Sequence, residues 1–201
     1  MLYIYGDSHA NSNFKNLTLP YVDLSSPSIT MFRIGRDNSV VNFNANEHDN
    51  TSILCFVYGE VDCRCHIHRQ INLGRLEDSV IEELVTNYIN AIKTVVKSYK
   101  KIIISGVIPP TNQNDFEQQN GPITHDFPFV GNEESRVRYT NKVNRLLQDH
   151  CIDSNYIYFN PYSYYTREDG TLKYELSDNC VHLGDTSYFV ERFTELYNIL
   201  L

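Results

Sequence analysis

Short apolar runs alternate with longer amphipathic segments along this chain of 201 residues. Each run is nearly continuous and ends at a glycine, proline or asparagine. The clear runs are Leu2–Tyr5, Ile53–Tyr58, Ile102–Ile108 and Tyr156–Phe159, with Ser28–Ile34 as a weaker candidate. Continuous apolar strands are typical of a sheet that is covered on both faces. The pattern therefore predicts an α/β protein with a mostly parallel sheet between layers of helices.

Three of the intervening segments have helical periodicity. Val80–Val96 carries a broad apolar stripe with a 3.6-residue repeat, and Glu133–Gln148 and Asp185–Leu200 have narrower stripes. Two other segments are predicted to be loops: the polar Asn11–Pro27, and Thr111–Asn132, whose phenylalanines indicate packing over a pocket. We expect one domain over residues 1–201.

The composition excludes several classes of function. Hydrophobic residues make up 41% and charged residues 21%, which is typical of a globular protein, and the net charge of −8 does not supply the basic face of a non-specific nucleic-acid binder. No apolar run approaches the roughly 20 residues of a membrane span, and no signal peptide is visible. Five cysteines, an odd and low count, favour reduced thiols. We therefore expect a cytoplasmic protein with neither nucleic acid nor membrane as a partner.

Reactive side chains follow the ends of the predicted strands, where ligands bind in parallel sheets. Gly6-Asp7-Ser8-His9 follows the first run, and a serine on such a turn suits a nucleophile beside backbone N–H donors. The same tetrapeptide is also a common turn and helix cap. Gly35 follows the weaker run, where it is either a further oxyanion donor or a plain turn.

The segment from Gly59 to Arg69 is the densest cluster of reactive side chains. One interpretation is a metal site, but the spacing does not fit the usual zinc patterns. A second is a polar wall of an active site in which Asp62 pairs with Arg64, and a third is a solvated loop. The metal-ligating types in this segment are Cys63, Cys65, His66 and His68.

Asp178 and His182 stand close together before the last predicted helix. A histidine with an acid a few residues upstream can form the base and the orienting acid of a catalytic triad. A single late histidine is more often structural. Its coincidence with Gly6-Asp7-Ser8 at the first strand end raises the probability of a functional role.

The order and spacing of these pieces resemble the SGNH hydrolases, the GDSL esterase/lipase superfamily, over almost the whole chain. Gly6-Asp7-Ser8-His9 resembles the first block of the family, Gly35 the second-block glycine, Gly59-Glu60-Val61-Asp62 the third block, and Asp178 with His182 the last. The resemblance implies a flavodoxin-like, three-layer α/β/α sandwich with a five-stranded sheet.

The resemblance also implies roles for individual residues. Ser8 would be the nucleophile, His182 the base and Asp178 the acid that orients it, while the N–H groups of Ser8 and Gly35 would hold the oxyanion. No metal or organic cofactor is implied. The other residues expected to line the oxyanion or substrate site are Asp7, Gly59, Asp62, Arg64 and His66.

Two positions depart from the pattern of the family. Val61 stands where the third block has an asparagine that donates to the oxyanion, and we expect Arg64 to replace this donor, with His66 as the alternative. The acid usually stands three residues before the histidine, where this chain has Asn179. An extra residue in the turn could bring Asp178 to His182. The alternatives are that Asn179 orients the ring, or that an acid elsewhere in the chain does.

The expected function is that of a serine esterase acting on a small-molecule or glycan ester. Analogy with small members of the family favours an acetylated carbohydrate, and the polar Glu60–Arg69 segment is ill suited to a long acyl chain. The phenylalanines of Thr111–Asn132 keep a lipase as an alternative. Two further alternatives are a non-catalytic glycan- or partner-binding protein, which Val61 favours, and an O-acyltransferase.

Overall fold

A five-stranded parallel sheet forms the centre of the computed structural model, which describes residues 1–96, 99, 101–123 and 127–201. The strands lie in the order β2-β1-β3-β4-β5, and every neighbouring pair is parallel. The carboxyl ends of all five strands therefore meet at one edge, as predicted. Along the chain, the strands are β1 (Leu2–Gly6), β2 (Tyr21–Asp23), β3 (Ile53–Val57), β4 (Lys101–Ser105) and β5 (Ile157–Phe159).

Helices cover both faces of this sheet. Within the described residues they are α1 (Ser8–Phe14), α2 (Met31–Asp37), α3 (Ile67–Asn72), α4 (Glu77–Val95), α5 (Gln113–Asn120), α6 (Glu133–Ser154) and α7 (Ser187–Leu200). The described part of the chain contains no helix that combines the length and the apolar character needed to cross a membrane.

The side chains of β3 explain why the apolar runs are continuous. Leu54 and Phe56 belong to the core beneath α4 and α6, whereas Ile53, Cys55 and Val57 belong to the core beneath α1 and α7. All five are buried. Each face of the strand needs apolar side chains, so the sequence does not alternate in polarity. The predicted three-layer α/β/α sandwich is confirmed.

The predicted strand Ser28–Ile34 is wrong, because this segment leads into α2. Thr30 caps the helix by accepting the N–H of Arg33 at 3.1 Å. Met31 and Ile34 are buried three residues apart, which is a helical spacing. The missing strand is β2, which lies in the predicted loop Asn11–Pro27.

The predicted loop Thr111–Asn132 contains the helix α5. The side chain of Asn112 begins this helix by accepting the N–H groups of Asn114 and Asp115. Phe116 is buried and packs edge-on against Phe129, with ring centroids 5.4 Å apart. This part of the segment therefore packs inward. Residues 124–126 of the predicted loop lie outside the described residues.

Candidate active site

Ser8 lies on the turn between β1 and α1, at the carboxyl edge of the sheet. Asp7 caps α1, since its Oδ1 atom accepts the N–H of His9 at 2.8 Å. Gly6 leaves no room for a side chain, because a Cβ atom there would lie 2.2 Å from the Cβ atom of Ala10. Ser8 is the first residue of its helix, so its own N–H has no acceptor within the helix.

The structure brings Ser8, His182 and Asp178 into one hydrogen-bonded chain. The Oγ atom of Ser8 lies 3.0 Å from Nε2 of His182, and Nδ1 of His182 lies 3.0 Å from Oδ2 of Asp178. This order places an imidazole where it can take the proton of a serine hydroxyl while a carboxylate holds the other side of the ring. The arrangement can therefore generate a serine nucleophile.

A turn with one residue in the left-handed conformation accommodates the four-residue spacing between Asp178 and His182. Asn179 has a φ of 63°, which asparagine tolerates better than most residues. Its carbonyl oxygen accepts hydrogen bonds from the amide of Asn120 at 2.8 Å and the hydroxyl of Tyr174 at 2.7 Å. The turn therefore directs Asp178, and not Asn179, toward the imidazole.

The carboxylate of Asp178 is held on both of its oxygens. Oδ1 accepts the backbone N–H groups of Cys180 at 2.9 Å and of His182 at 3.2 Å, while Oδ2 faces the imidazole ring. Burial alone would raise the pKa of Asp178, but the hydrogen bond and charge of His182 outweigh it and hold this pKa below its ordinary value. An ionised Asp178 keeps the proton of His182 on Nδ1 and leaves the lone pair of Nε2 facing Ser8.

Backbone contacts around the same turn leave no space for a side chain at Gly184. A Cβ atom at this position would lie 2.1 Å from the carbonyl oxygen of Ser177. The N–H groups of Gly184 and Asp185 both donate to the carbonyl of Leu176, at 2.8 and 3.0 Å. Closure of the turn that carries His182 therefore requires glycine for steric reasons.

A second histidine, His9, packs against the ring of His182, with the ring centroids 4.5 Å apart. Its Nδ1 atom lies 3.1 Å from Asp7, and its Nε2 atom lies 3.2 Å from the carbonyl oxygen of Val181 and 3.7 Å from Glu60. Both nitrogens face acceptors, which suits the doubly protonated imidazolium. Burial acts to lower the pKa of His9, but Asp7 and Glu60 outweigh it, and the pKa is raised.

Arg64 is buried and pairs with Glu60, which contradicts the interpretation of this segment in which Arg64 pairs with Asp62. Its Nε and Nη2 atoms donate to the two carboxylate oxygens of Glu60 at 2.8 and 3.1 Å, and Nη1 donates to the carbonyl of Phe127. Residues four apart share one face of a helical turn, which explains the choice of partner. The guanidinium is committed to these acceptors and is not free to replace the missing oxyanion donor.

Replacing Arg64 by alanine is expected to lower the free energy of unfolding by about 3–5 kcal/mol, because the buried carboxylate of Glu60 would lose both of its hydrogen bonds from the guanidinium and keep only His9, at 3.7 Å, as a positive neighbour. Urea denaturation monitored by circular dichroism measures this loss. The double variant Arg64→Met/Glu60→Gln removes both charges and should recover a large part of it. An equal loss in the single and double variants would contradict the assigned pairing.

Asp62 is fully buried and caps the beginning of α2 from a distant part of the chain. Its Oδ2 atom accepts the N–H of Met31 at 2.7 Å, and its Oδ1 atom accepts the N–H of Phe32 at 3.2 Å. Burial raises the pKa of Asp62 to about 7 against these hydrogen bonds, and the charges of Asp7 and Glu60 act in the same direction as burial. Asp62 thus positions α2 and does not face Ser8 as a free acid.

The raised pKa of Asp62 predicts that stability falls as the pH rises. The folded protein holds the proton up to about pH 7 whereas the unfolded chain releases it near pH 3.8, so the contribution is complete below the lower value and lost through the higher one. Asp62→Asn cannot titrate, yet its side-chain oxygen can still accept an N–H. Unfolding free energies measured between pH 4 and pH 7.5 should therefore fall more steeply in the wild type; parallel profiles would contradict this prediction.

Gly35 and Gly59 both serve packing. Gly35 lies inside α2, where a Cβ atom would come within 2.8 Å of the Cβ atom of Asn87 on α4. Its N–H points along the helix toward the carbonyl four residues earlier, so the predicted role of Gly35 as an oxyanion donor is not supported. Gly59 has a φ of 120°, and a Cβ atom there would lie 2.7 Å from side-chain atoms of Met31 and Val107.

The metal-ligating side chains that follow β3 point into different surroundings. The two cysteines are buried, and the ring of His66 packs on Phe32 with centroids 4.0 Å apart. Nδ1 of His68 lies 2.7 Å from the hydroxyl of Tyr139. His66 is therefore directed to the cleft between α2 and α4, away from an oxyanion role. The four side chains, which do not converge on one centre, are Cys63, Cys65, His66 and His68.

The contacts of His9 and Glu60 escaped the sequence analysis. The spacing of Glu60 and Arg64 is a detectable signal, since opposite charges four residues apart commonly pair on a helix. His9 gives no such signal. Its partners Glu60 and Val181 are distant in sequence and meet it only after the sheet has formed.

Comparisons with known proteins show what this fold is similar to. No family model matches the chain, and no curated protein matches it. A GDSL-like lipase from Bacteroides thetaiotaomicron superposes with a TM-score of 0.60 at 12% identity, over 100% of this chain and 88% of that one. An acetylxylan esterase from Geobacillus stearothermophilus, solved as a catalytic mutant, gives 0.60 at 13% identity, over 98% and 93%. The chain therefore has the fold of the SGNH hydrolases.

Proposed function

We propose that this protein is a serine esterase that hydrolyses a small acyl ester through an acyl-enzyme. The observation that carries the proposal is the hydrogen-bonded chain from Ser8 through His182 to Asp178, with successive distances of 3.0 and 3.0 Å. The fold shared with a GDSL-like lipase and an acetylxylan esterase supports the same class of reaction.

Each of the three side chains has one role in the proposed reaction. The Oγ atom of Ser8 attacks the carbonyl carbon of the ester while Nε2 of His182 takes the hydroxyl proton. Asp178 stabilises the resulting imidazolium, which passes that proton to the leaving alcohol. Water then gives a proton to His182 and attacks the acyl group on Ser8. The acid is released, and His182 returns the proton to the Oγ atom of Ser8.

Backbone N–H groups are the donors that we assign to the oxyanion. Val61 is buried and its side chain has no donor, while the N–H of Ser8 has no acceptor within its helix. The loop before α2 lies against the nucleophile turn, because Ser26 donates its N–H to the carbonyl of Gly6 at 2.7 Å. Ser28 follows as an exposed residue with a φ of 66°, and its N–H replaces that of Gly35 as the second candidate.

A short acyl group on a carbohydrate is the substrate class that we favour. The acetylxylan esterase with the same fold is one support. A second support comes from the segment after α5, where Phe116 and Phe129 pack on each other and Val130 donates its N–H to the carbonyl of Arg64 at 3.0 Å. These phenylalanines contribute to a small core and do not form an open apolar groove for a long acyl chain.

Val61 favours one alternative, a non-catalytic protein of the same fold that binds a glycan or partner. Loss of a side-chain oxyanion donor typically reduces the rate by about 10²–10³-fold. A chain that had lost turnover would tolerate such a loss, whereas an enzyme must compensate for it through its backbone donors. Whether the hydroxyl of Ser8 reacts as a nucleophile distinguishes the two functions.

Labelling with a fluorophosphonate probe tests the proposal without knowledge of the substrate. Mass spectrometry should locate the adduct on Ser8, and Ser8→Ala should abolish it. Ser12→Ala is a matched control, because Ser12 lies on the same helix and donates to the carbonyl of Leu183 at 3.4 Å. An unlabelled, folded wild type would overturn the esterase and leave the binding protein. Acetylated xylo-oligosaccharides assayed beside long-chain acyl esters then test the substrate class.

A further inference from the structure

The turn that carries the base of the proposed esterase also brings together three metal-ligating side chains. One ligand atom from each of Asp178, Cys180 and His182 lies within 4.8 Å of the other two. Asp178 and His182 expose 32% and 21% of their side chains, so an ion in solution can reach them. Cys180 is half-buried, in contrast to the other four cysteines, which are buried.

We infer that Asp178, Cys180 and His182 form a binding site for Zn²⁺ whose occupation switches off hydrolysis. A thiolate, an imidazole and a carboxylate are the ligand types that zinc takes in proteins, and three protein ligands with one open position are a common arrangement. The inhibitory consequence rests on the proposed esterase function, whereas the binding itself does not.

The existing geometry needs only a small adjustment. Bonds of about 2.0–2.3 Å in a tetrahedron place zinc ligands about 3.3–3.8 Å apart. Nδ1 of His182 and Oδ2 of Asp178, now 3.0 Å apart, must therefore move slightly apart, and the other separations, all within 4.8 Å, shorten by at most about 1 Å. All three belong to one five-residue turn, and rotation of these partly exposed side chains supplies such a movement. Oδ1 of Asp178 already accepts the N–H of Cys180 at 2.9 Å, which holds the two residues together.

Zinc binding and catalysis require opposite tautomers of His182. Nδ1 is the nitrogen of His182 that faces Asp178, at 3.0 Å, and is therefore the one available to the site. A neutral imidazole that binds zinc through Nδ1 carries its proton on Nε2, which then cannot accept the proton of Ser8. The proton moves from Nδ1 to Nε2, the thiol proton of Cys180 passes to solvent, and no redox step occurs.

Cobalt substitution tests the site independently of activity. Co²⁺ bound to a thiolate gives a near-ultraviolet charge-transfer band, so titration of chelator-treated protein should give this band at one equivalent, and Zn²⁺ should displace it. Cys180→Ser should lack the band. Cys151→Ala is the matched control, because Cys151 is a buried thiol on α6, and circular dichroism verifies its fold. No band in the wild type, or a band that survives in Cys180→Ser, would overturn the site.

Hydrolysis of 4-nitrophenyl acetate in zinc buffers tests the switch. Inhibition should be reversed by EDTA, and Cys180→Ser should keep the basal rate while requiring at least about 100-fold more zinc for half-inhibition. A cobalt band without inhibition would refute the switch and retain the site. A wild type inactive even after chelation would refute the esterase, while the cobalt band would still report on the metal site.

Discussion

Ser8→Ala and His182→Ala should each reduce kcat/KM for 4-nitrophenyl acetate by about 10⁵–10⁶-fold. In the proposed mechanism the serine supplies the atom that forms the acyl-enzyme, and the histidine, whose Nε2 lies 3.0 Å from that atom, takes its proton. Loss of either residue blocks formation of the acyl-enzyme, whether or not the other is present. The double variant should therefore be no slower than either single variant.

Steady-state kinetics of the three variants measures this non-additivity. Circular dichroism and thermal unfolding provide the control for folding, since Ser8 is only half-buried and its replacement removes one oxygen atom. A Ser8→Ala variant that retained more than about 1% of the activity would contradict the proposed nucleophile, because such triads act as a unit. Losses that multiply in the double variant would indicate two independent contributions.

Asp178→Asn is expected to reduce kcat by about 10⁴-fold. The amide can still accept the N–H groups of Cys180 and His182 through its oxygen, so the turn should keep its shape. Toward the imidazole, however, the amide nitrogen donates and no longer accepts. The ring then places its proton on Nε2 and loses the lone pair that faces Ser8.

Asn179→Gly is the matched control for the Asp178 variant. Glycine adopts the φ of 63° without strain and keeps the carbonyl that Asn120 and Tyr174 contact, so kcat should change by less than about threefold. Steady-state rates of the two variants across pH 6–9 provide the measurement. A severe loss in Asn179→Gly beside a mild loss in Asp178→Asn would assign the orienting role to Asn179.

Most of the fold could be predicted because both faces of the sheet are buried. That condition produces the continuous apolar runs of β1, β3, β4 and β5, which are visible in a single sequence. Strand β2 escaped because it is a three-residue edge strand whose side chains are largely exposed. Helix α2 was misassigned because it has only seven residues and part of its cap comes from Asp62, about 30 residues away, which leaves Thr30 and the spacing of the buried Met31 and Ile34 as its local signals.

The residues of the candidate site also include some that could be predicted from the sequence and some that could not. Ser8, Asp178 and His182 stand at strand and helix ends, where residue type and spacing carry information about chemistry. The interpretation that paired Arg64 with Asp62 was wrong because the segment after β3 is helical, with a π-helical part, and does not form an extended polar wall. Gly35 was misjudged because a glycine required by close helix packing has the same appearance in sequence as one that approaches a ligand.

Gly6 and Gly184 have a consequence for telling the fold apart from the activity. Both are required by steric contact alone, since a Cβ atom would lie 2.2 Å from Ala10 in one case and 2.1 Å from Ser177 in the other. A protein of this fold that hydrolysed no ester would need neither Ser8 nor His182 for catalysis but would still need both glycines to fold. Glycines of this kind therefore mark the fold, and a hydrolytic activity has to be judged from the side chains between them.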